Sequence, residues 1–368
     1  MDGDKMKSGI YEGSSKNLLV INPPMKNEMG LGWMIGTNYY SVKDWGRMPD
    51  KVNYRNYSNM LLGAVVFEAL EEKGYFTHYE GMVEDGEVKR LRELEGPSNI
   101  MQVKLVNVYK PDFVNGKYDY SFFKQNQGRL NNYLPPLECI YRDALPLGSS
   151  VFEKLADGRL VPADIGLDEM PKPGTVLPKP IYDFTTKFEE TGDRMVRSRD
   201  ELLTISGLNE DQFQQLETVL NEANKEITRI WKLADIVDYD GKLEFIWNNG
   251  PGIGDNLGTL DESRGGRGKF QVSKEPARQY HNKEDAEWAK MISKYKNNGP
   301  DWREDMRSDG LFPKKLKPDF NRLWGWMYGA VCNEVLDKVI GRKFFDLPSL
   351  NDVLKEMEEL GFALYVTG

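Results

Sequence analysis

Apolar residues in the first part of the chain occur in short runs between turn residues, a pattern typical of β-strands. The apolar run at residues 18–21 is stopped by Pro23-Pro24. Met101, Val103 and Leu105 alternate with polar residues, so they share one face of a strand. We predict strands over residues 18–21, 34–40, 100–109 and 137–142.

Apolar positions with a period of 3.6 residues predict helices, and the strongest such pattern covers residues 210–234. Its apolar stripe begins at Phe213, while Asn209 and Gln212 have the spacing of a capping box. The other predicted helices cover residues 59–73, 283–296, 320–339 and 350–360, the last with Ser349 as N-cap. Strands come first and helices last, which favours an α+β fold over a doubly wound α/β fold.

Three stretches that contain turn residues are predicted as connections. Residues 164–180 are rich in proline and glycine, which predicts a surface loop. Residues 250–269 are polar, rich in glycine and without periodicity, which also predicts a loop. Residues 236–246 are predicted as a hairpin that turns at Asp240-Gly241.

The composition excludes several classes of protein and of site. The 368 residues carry a net charge of −9, and such an acidic surface repels the phosphate backbone of nucleic acids. Two cysteines and two histidines are too few for a disulfide framework or a Cys/His zinc site. His78 and His281 lack triad partners in the pattern and are predicted to be structural. A bound metal would therefore have oxygen ligands, which indicates magnesium.

The hydropathy pattern argues against a membrane or secreted protein. No run of 18 apolar residues occurs, and residues 1–13 carry charges and glycines instead of the apolar segment of a signal peptide. The 39% of hydrophobic residues suffices for a sizeable core. We expect a globular cytoplasmic protein whose partners are small molecules, with neither nucleic acid nor membrane among them. The sequence leaves open whether the chain forms a homo-oligomer.

Two segments with lysines have the composition of phosphate-binding sites. In the turn Ser14-Ser15-Lys16, backbone N–H groups and an ammonium can face phosphates, although an exposed hairpin tip has the same composition. In a strand, Lys242 and Glu244 point to one face, where they suit a phosphate that is held together with a metal. A solvated ion pair on the face of a hairpin is the alternative.

Two further segments suit a metal ion or an anion. Asp255, Asp261 and Arg264 lie in a polar stretch that can complete a magnesium site and hold an anion, or can be an acidic surface loop. Arg142 ends a predicted strand, and Ser149 lies in the Gly-Ser-Ser turn that follows. Together they can bind a phosphomonoester, unless Arg142 is an ordinary surface residue.

These segments occur in an order that resembles the SAICAR synthetase (phosphoribosylaminoimidazole-succinocarboxamide synthase) family over most of the chain. The most distinctive match is Pro-Leu-Glu-x-x-x-Arg at residues 136–142, followed by Gly-Ser at 148–149. The other matching segments are residues 11–16, 40–50, 77–79, 180–193, 240–245, 255, 261–264 and 273–280.

The resemblance implies an α+β fold that has an antiparallel-sheet N-terminal lobe and a helical C-terminal part. Its nucleotide cleft would be similar to those of kinases and ATP-grasp enzymes. Residues 1–110 would form the N-terminal lobe with the ATP-phosphate loop, and residues 111–300 a central lobe with the substrate and metal sites. Residues 301–368 would form a helical segment packed on the central lobe.

The resemblance also implies an activity, that of an ATP-dependent ligase of purine biosynthesis. Such an enzyme joins L-aspartate to the carboxylate of CAIR, an aminoimidazole ribonucleotide, through an acyl phosphate, with ATP and Mg²⁺ as cofactors. By matching position, the implied residues are Lys16 and Lys242 for catalysis, Ser14, Ser15, Lys16 and Lys187 for ATP, Glu244 and Asp255 for the metal, and Ser41, Arg142, Ser149, Asp261 and Arg264 for the substrate.

Four segments depart from the family pattern. Asn38-Tyr39 stand where Asp-Arg is usual, Lys43 replaces an aromatic residue, and Arg55-Asn56 stand where Lys-Gly is expected. The loop 255–264 is one residue longer than usual, with Leu260 in place of proline. Two alternatives therefore stay open. One is a divergent ligase of the same fold that couples an amino acid to another carboxylated nucleotide. The other is a catalytically silent nucleotide-binding protein, which the presence of the ATP and metal residues argues against.

Overall fold

The first part of the molecule is an antiparallel sheet backed by a helix. A computed structural model describes residues 6–366. The strands of this sheet are β1 (Gly9–Glu12), β2 (Lys16–Asn22), β3 (Gly30–Gly36), β4 (Tyr79–Glu84), β5 (Glu87–Lys89) and β6 (Ile100–Leu105). They lie in the order β1-β2-β3-β6-β4-β5, and all neighbours are antiparallel. Met34, Met101 and Val103 are buried, on the face that packs against helix α1 (Arg55–Glu72).

The second sheet carries most of the polar residues discussed below. Its strands are β7 (Asn107–Val108), β10 (Tyr133–Leu134), β11 (Leu137–Leu145), β12 (Thr175–Thr186), β13 (Val237–Trp247), β14 (Pro251–Gly254), β15 (Ser263–Arg267) and β16 (Phe270–Val272). Strand β11 pairs antiparallel with β12 on one side and β13 on the other. Strand β13 also pairs with β10, β14 and β15. A separate hairpin consists of β8 (Asp112–Val114) and β9 (Lys117–Asp119).

Helices pack on both sheets and dominate the last part of the chain. Besides α1 they are α2 (Ser121–Gln125), α3 (Ser150–Ala156), α4 (Arg199–Ser206), α5 (Glu210–Leu233), α6 (Glu275–Glu284), α7 (Ala286–Lys296), α8 (Trp302–Ser308), α9 (Pro318–Ile340) and α10 (Leu350–Glu359). Helix α5 packs on β13 and β14, and α9 contacts α1, α5 and α10. Within residues 6–366, no helix has both the length and the apolar character needed to cross a membrane.

Several predictions from the sequence are confirmed. The fold is α+β with antiparallel sheets and a helical C-terminal part. At the start of α5, the Asn209 side chain accepts a hydrogen bond from the Gln212 N–H at 2.9 Å, and the Gln212 side chain accepts one from the Asn209 N–H at 3.0 Å. Ser349 is the N-cap of α10, as predicted, and its hydroxyl accepts a hydrogen bond from the Asp352 N–H at 3.2 Å. The division at residues 110 and 300 stays a prediction.

The predicted hairpin at residues 236–246 is wrong, because β13 runs without a turn through Asp240 and Gly241. These two residues pair with Arg142 and Tyr141 on β11 and with Arg264 and Ser263 on β15. A Cβ at position 241 would lie 2.4 Å from the Tyr141 hydroxyl oxygen. Glycine is therefore required there for close packing between strands and not for a turn.

Several other predicted elements differ from the structure in their bounds or in their type. The strand expected at 34–40 ends at Gly36, and the helix expected at 59–73 begins at Arg55. The loop expected at 164–180 contains the start of β12, and the loop expected at 250–269 contains β14 and β15. The strand expected at 100–109 is split into β6 and β7, and the helix expected at 283–296 is interrupted at Asp285. The start of β12 pairs with β11 and β15 pairs with β13, both more distant in the chain, whereas β14 folds back on the end of β13 directly before it.

Candidate active site

A cleft of about 710 Å³ brings most of the predicted site residues together. Seventeen of its 26 lining residues are charged, eight basic and nine acidic, so it is suited to charged ligands. Eleven of the twelve predicted site residues line it, namely Ser14, Ser15, Lys16, Ser41, Arg142, Lys187, Lys242, Glu244, Asp255, Asp261 and Arg264.

The centre of the cleft is one face of the β11–β13 pair. Successive side chains of a strand point to opposite faces, so Glu138 and Arg142 share a face of β11, and Asp240, Lys242 and Glu244 share a face of β13. The register places Arg142 opposite Asp240, which brings both sets to the same side of the sheet. The predicted common face of Lys242 and Glu244 is therefore confirmed.

Two lysines converge on one carboxylate oxygen in this face. Lys187 Nζ lies 2.7 Å from Glu244 Oε1, and Lys242 Nζ lies 2.9 Å from the same oxygen. Lys242 Nζ is also 3.0 Å from Glu138 Oε1 and 3.4 Å from Glu262 Oε2. The side chains thus form a network of alternating charges in which each ion neutralises its neighbours.

The network keeps its members charged although they are largely buried. Burial alone would raise the pKa of Glu244, but Lys187, Lys242 and Lys16 hold that pKa below its ordinary value. Burial alone would lower the pKa of Lys242, but the carboxylates of Glu244, Glu262 and Glu138 raise it well above its ordinary value. Lys242 and Glu244 therefore both stay charged at neutral pH.

Lys16 enters the cleft from the first sheet, at the start of β2, and forms an ion pair with Asp255. Burial lowers the pKa of Lys16 to about 8. Asp255 follows β14 in the left-handed conformation, with φ of 56°, and its carbonyl oxygen lies 2.8 Å from His78 Nε2. Because a carbonyl only accepts, Nε2 must carry the proton. His78 thus fixes the backbone of Asp255, a structural role as predicted.

At the other end of the cleft, two arginines share one carboxylate. Arg142 Nη1 lies 3.2 Å from Asp240 Oδ2, and Arg264 Nε lies 2.8 Å from Asp240 Oδ1. Arg142 also contacts Asp183 at 3.1 Å and donates to Ser150 Oγ at 3.3 Å. Arg142 is only 4% exposed, so the alternative that it is an ordinary surface residue is wrong.

Two of the predicted substrate residues have other contacts. The Ser149 hydroxyl accepts a hydrogen bond from the Val151 N–H at 3.4 Å as the N-cap of α3, and Ser149 is the one predicted residue that does not line the cleft. Asp261 lines the cleft, but it forms a buried ion pair with Arg55 and accepts a hydrogen bond from Tyr328 at 2.6 Å.

Comparison with known proteins gives the family. Residues 11–294 match the family model described as SAICAR synthetase. The chain belongs to the SAICAR synthetase family. A relative from Archaeoglobus fulgidus, named as a putative phosphoribosylaminoimidazole-succinocarboxamide synthase, is 39% identical over 350 residues, which cover 95% of this chain and 99% of the relative. The predicted resemblance and the predicted class, an ATP-dependent ligase of purine biosynthesis, are confirmed.

Solved SAICAR synthetases share the fold. The enzyme from Saccharomyces cerevisiae, solved in complex with SAICAR, superposes with a TM-score of 0.57 at 16% identity and covers 92% of this chain and 99% of its own. A SAICAR synthetase solved with ADP superposes with a TM-score of 0.51 at 19% identity, covering 83% of this chain and 100% of its own.

The structure adds charged residues that the resemblance to SAICAR synthetases did not assign to the site. Glu138, Asp240, Glu262 and Lys274 all line the cleft. Strand alternation could have identified the first two, since Asp240 is two residues before Lys242 and Glu138 is four residues before Arg142. Glu262 and Lys274 lie outside the strands, where no periodic signal indicates the direction of a side chain.

Proposed function

We propose that the chain joins L-aspartate to the carboxylate of CAIR and cleaves ATP to ADP and phosphate, yielding SAICAR. The observation that carries this proposal is the meeting of Lys16, Lys187 and Lys242 with Glu244 and Asp255 in one cleft. These groups can neutralise a phosphoryl group in transfer and hold a divalent metal. Because ATP and purine precursors are cytoplasmic metabolites, we also propose a cytoplasmic location.

The reaction needs an activated carboxylate, because a carboxylate anion does not react with an amine. An oxygen of the CAIR carboxylate attacks the γ-phosphorus of ATP, forms a P–O bond and releases ADP. The aspartate amine then attacks the acyl carbon as the free base, and the new C–N bond displaces phosphate while the amine proton passes to solvent. Both steps depend mainly on positioning and charge neutralisation.

In this proposal, each of the three lysines binds or stabilises a different phosphate group. The turn of Ser14 and Ser15 presents backbone N–H groups and Lys16 an ammonium to the ATP phosphates. Lys187 lies at the end of β12 and contacts the same carboxylate as Lys242, so it would bind the nucleotide near the transferring group. Lys242 contacts three carboxylates and would stabilise the phosphoryl group during its transfer.

The residues present fit Mg²⁺. Glu244 uses Oε1 for both of its lysines and Asp255 uses Oδ1 for Lys16, so within residues 6–366 the second oxygen of each carboxylate has no protein partner. Mg²⁺ in phosphoryl-transfer sites usually takes one or two carboxylates and completes its shell with phosphates and water. No group of three His, Cys, Asp or Glu in that part of the chain offers a protein-only metal site. Bound here, Mg²⁺ would neutralise charge on the ATP phosphates.

We propose that the 5′-phosphate of CAIR binds beside Arg142 and Arg264. Guanidinium groups bind phosphate oxygens in pairs of parallel hydrogen bonds. Ser150 contacts Arg142 and lines the cleft, so its hydroxyl would also bind this phosphate, and Ser149 would contribute through the cap of α3. Ser41 lines the cleft and is kept as a substrate contact.

An assay of ADP release with the purified chain tests the proposal. We expect ADP and SAICAR in equal amounts only when ATP, Mg²⁺, CAIR and L-aspartate are all present. Lys242→Met should abolish the activity, and Lys315→Met, which removes an exposed lysine outside the cleft, should not.

The outcomes distinguish the alternatives. ADP release with another carboxylated nucleotide but not with CAIR would identify a divergent ligase. ADP release with no carboxylated nucleotide and no amine tested would contradict ligase activity, and nucleotide binding without any turnover would identify a silent protein.

A further inference from the structure

Two lysines of the cleft lack the ion pairs that all its other cations have. Of the eight basic lining residues, six contact a carboxylate: Lys16, Arg142, Lys187, Lys242, Arg264 and Arg278. Lys43 and Lys274 line the same cleft, and neither has an ion-pair partner among residues 6–366. Each of these two ammonium groups is thus available to an anionic ligand.

Lys43 is held toward the cleft by a strained loop. Val42 and Trp45 on either side of the loop are buried, and Asp44, which also lines the cleft, forms an ion pair with Lys296 at 2.5 Å. Lys43 and Asp44 both adopt the left-handed conformation, with φ of 55° and 60°. Such a conformation costs free energy in residues other than glycine, and it persists where the surroundings fix it, often at binding sites.

Lys274 lies directly before helix α6, where the backbone on both sides of it is fixed by hydrogen bonds. Its N–H donates to the Leu260 carbonyl at 2.8 Å, and the carbonyl of the preceding Ser273 accepts from Trp324 Nε1 at 3.3 Å. Burial lowers the pKa of Lys274, with the carboxylate of Asp261 acting against this shift. An ammonium in this position gains from a bound anion, because the anion would compensate for its lost hydration.

The charges of the amine substrate match these two groups. Aspartate carries two carboxylates, which must be neutralised inside the cleft without use of the cations that serve the phosphates. Lys16, Lys187 and Lys242 surround the proposed phosphoryl site, while Arg142 and Arg264 mark the proposed 5′-phosphate site. Three basic residues of the cleft remain, namely Lys43, Lys274 and Arg278. Arg278 contacts Glu275 at 2.9 Å, so Lys43 and Lys274 are the two that have no carboxylate partner among residues 6–366.

We propose that Lys43 and Lys274 form a subsite that binds the carboxylates of a dicarboxylic amino acid, the amine substrate of the ligase. This proposal rests on the proposed function. Lys43 stands where the family resemblance predicts an aromatic residue, whereas Lys274 lies in a segment that matches the family, so the contribution of Lys43 is the part of the subsite particular to this chain.

Steady-state kinetics of Lys43→Met and Lys274→Met test the subsite. Loss of one charged hydrogen bond should raise the KM for L-aspartate by about tenfold or more in each variant. The KM values for CAIR and ATP should change by less than about threefold, since neither ligand would contact these lysines. Lys43→Arg and Lys274→Arg should restore most of the affinity for aspartate, because they keep the charge.

A second measurement separates binding from structural support. L-asparagine lacks the side-chain carboxylate, so the preference for aspartate over asparagine, measured as the ratio of kcat/KM values, should shrink in at least one of the Met variants. A purely structural role would lower both values together and leave the ratio unchanged. Lys315→Met serves as the control for the loss of a lysine outside the cleft.

The results also separate this inference from the proposed function. If the wild-type chain converts CAIR and aspartate but the aspartate KM of both variants is unchanged, the subsite is wrong and the ligase stands. If the KM for CAIR rises instead, these lysines bind the nucleotide, which also overturns the subsite. A wild-type chain inactive with CAIR and aspartate contradicts the proposed function and this inference with it.

Discussion

The ionisation of Lys16 links the first sheet to the chemistry of the cleft. Its ammonium lies among carboxylates and lysines, and burial is the largest influence on its pKa, which falls to about 8. At neutral pH the ammonium is still mostly protonated and can bind a phosphate. A modest rise in pH removes the charge, so this one residue makes ATP binding sensitive to alkaline conditions.

The first prediction concerns that sensitivity. At saturating CAIR and aspartate, kcat/KM for ATP should fall above a pH of about 8, because the free enzyme loses the Lys16 charge as the pH rises through its pKa. Lys16→Arg should remove this alkaline limb, since a guanidinium stays protonated. A limb of unchanged position in Lys16→Arg would assign the titration to another group.

The second prediction concerns the metal. Glu244→Gln removes the charge of a proposed Mg²⁺ ligand, so kcat should fall on the order of 100-fold and the Mg²⁺ concentration needed for half-maximal rate should rise. Glu138→Gln is the matched control, because Glu138 contacts the same two lysines but is not a proposed ligand. An equal shift of the Mg²⁺ dependence in both variants would contradict the assignment of Glu244.

At the scale of elements, three neighbouring strands carry Arg142 of the proposed 5′-phosphate site and the two carboxylates that contact it. Arg142 comes from β11, Asp183 from β12 and Asp240 from β13. The strand register sets the spacing of these side chains, so a slip of one residue would point Arg142 to the opposite face. The two acidic partners hold the guanidinium in place before any ligand binds.

The third prediction follows from this arrangement. Arg142→Ala should raise the KM for CAIR by about tenfold or more and that for ATP by much less, because a charged hydrogen bond contributes about 1.5–3 kcal/mol. The fold should survive, since Lys154 still contacts Asp183 and Arg264 still contacts Asp240. A change confined to the KM for ATP would place the two ligands the other way round.

The variant Ser149→Ala serves as a comparison for Arg142→Ala. Its hydroxyl caps α3, so the variant should lose about 0.5–2 kcal/mol of stability. We expect its KM for CAIR to change far less than that of Arg142→Ala. Equal effects of the two variants on this KM would instead assign the Ser149 hydroxyl to the phosphate.

At the scale of the whole molecule, one buried ion pair joins three distant parts of the chain. Arg55 lies in the first turn of α1 and donates to the Thr37 carbonyl at 2.9 Å just after β3. Its partner Asp261 precedes β15 and accepts a hydrogen bond from Tyr328 on α9. Both charged side chains are almost fully buried, with exposures of 1% and 7%. The pair therefore couples the cleft loop to both sheets and to the C-terminal helices.

The fourth prediction tests this coupling by urea unfolding. Asp261→Asn leaves the Arg55 charge buried without its partner and should cost about 3–5 kcal/mol of the free energy of unfolding. The double variant Arg55→Met/Asp261→Asn should lose less than the sum of the single changes. Glu356→Gln removes a partly exposed partner of Arg322 and should cost less than about 1 kcal/mol. A cost as small as this for Asp261→Asn would contradict the structural role of the pair.

Local features of the sequence determined the elements whose stabilising contacts lie within one segment. Helix α5 needs only its own cap at Asn209 and its own apolar stripe, and both are visible in the residues themselves. The shared face of Lys242 and Glu244 follows from the two-residue period of any strand. The family resemblance likewise depends on short motifs, which is why eleven of the predicted site residues line one cleft.

Tertiary structure alone decided the features that depend on partners far away in the chain. Strand β13 continues through Asp240-Gly241 because β11 and β15 satisfy the backbone groups on both sides, and no short window of sequence contains that information. The presence of Lys43 and Lys274 in one cleft, and the ion pair between Arg55 and Asp261, likewise depend on how loops from different parts of the chain pack. Periodicity states which way a side chain points within its own element, whereas only long-range packing determines what it meets.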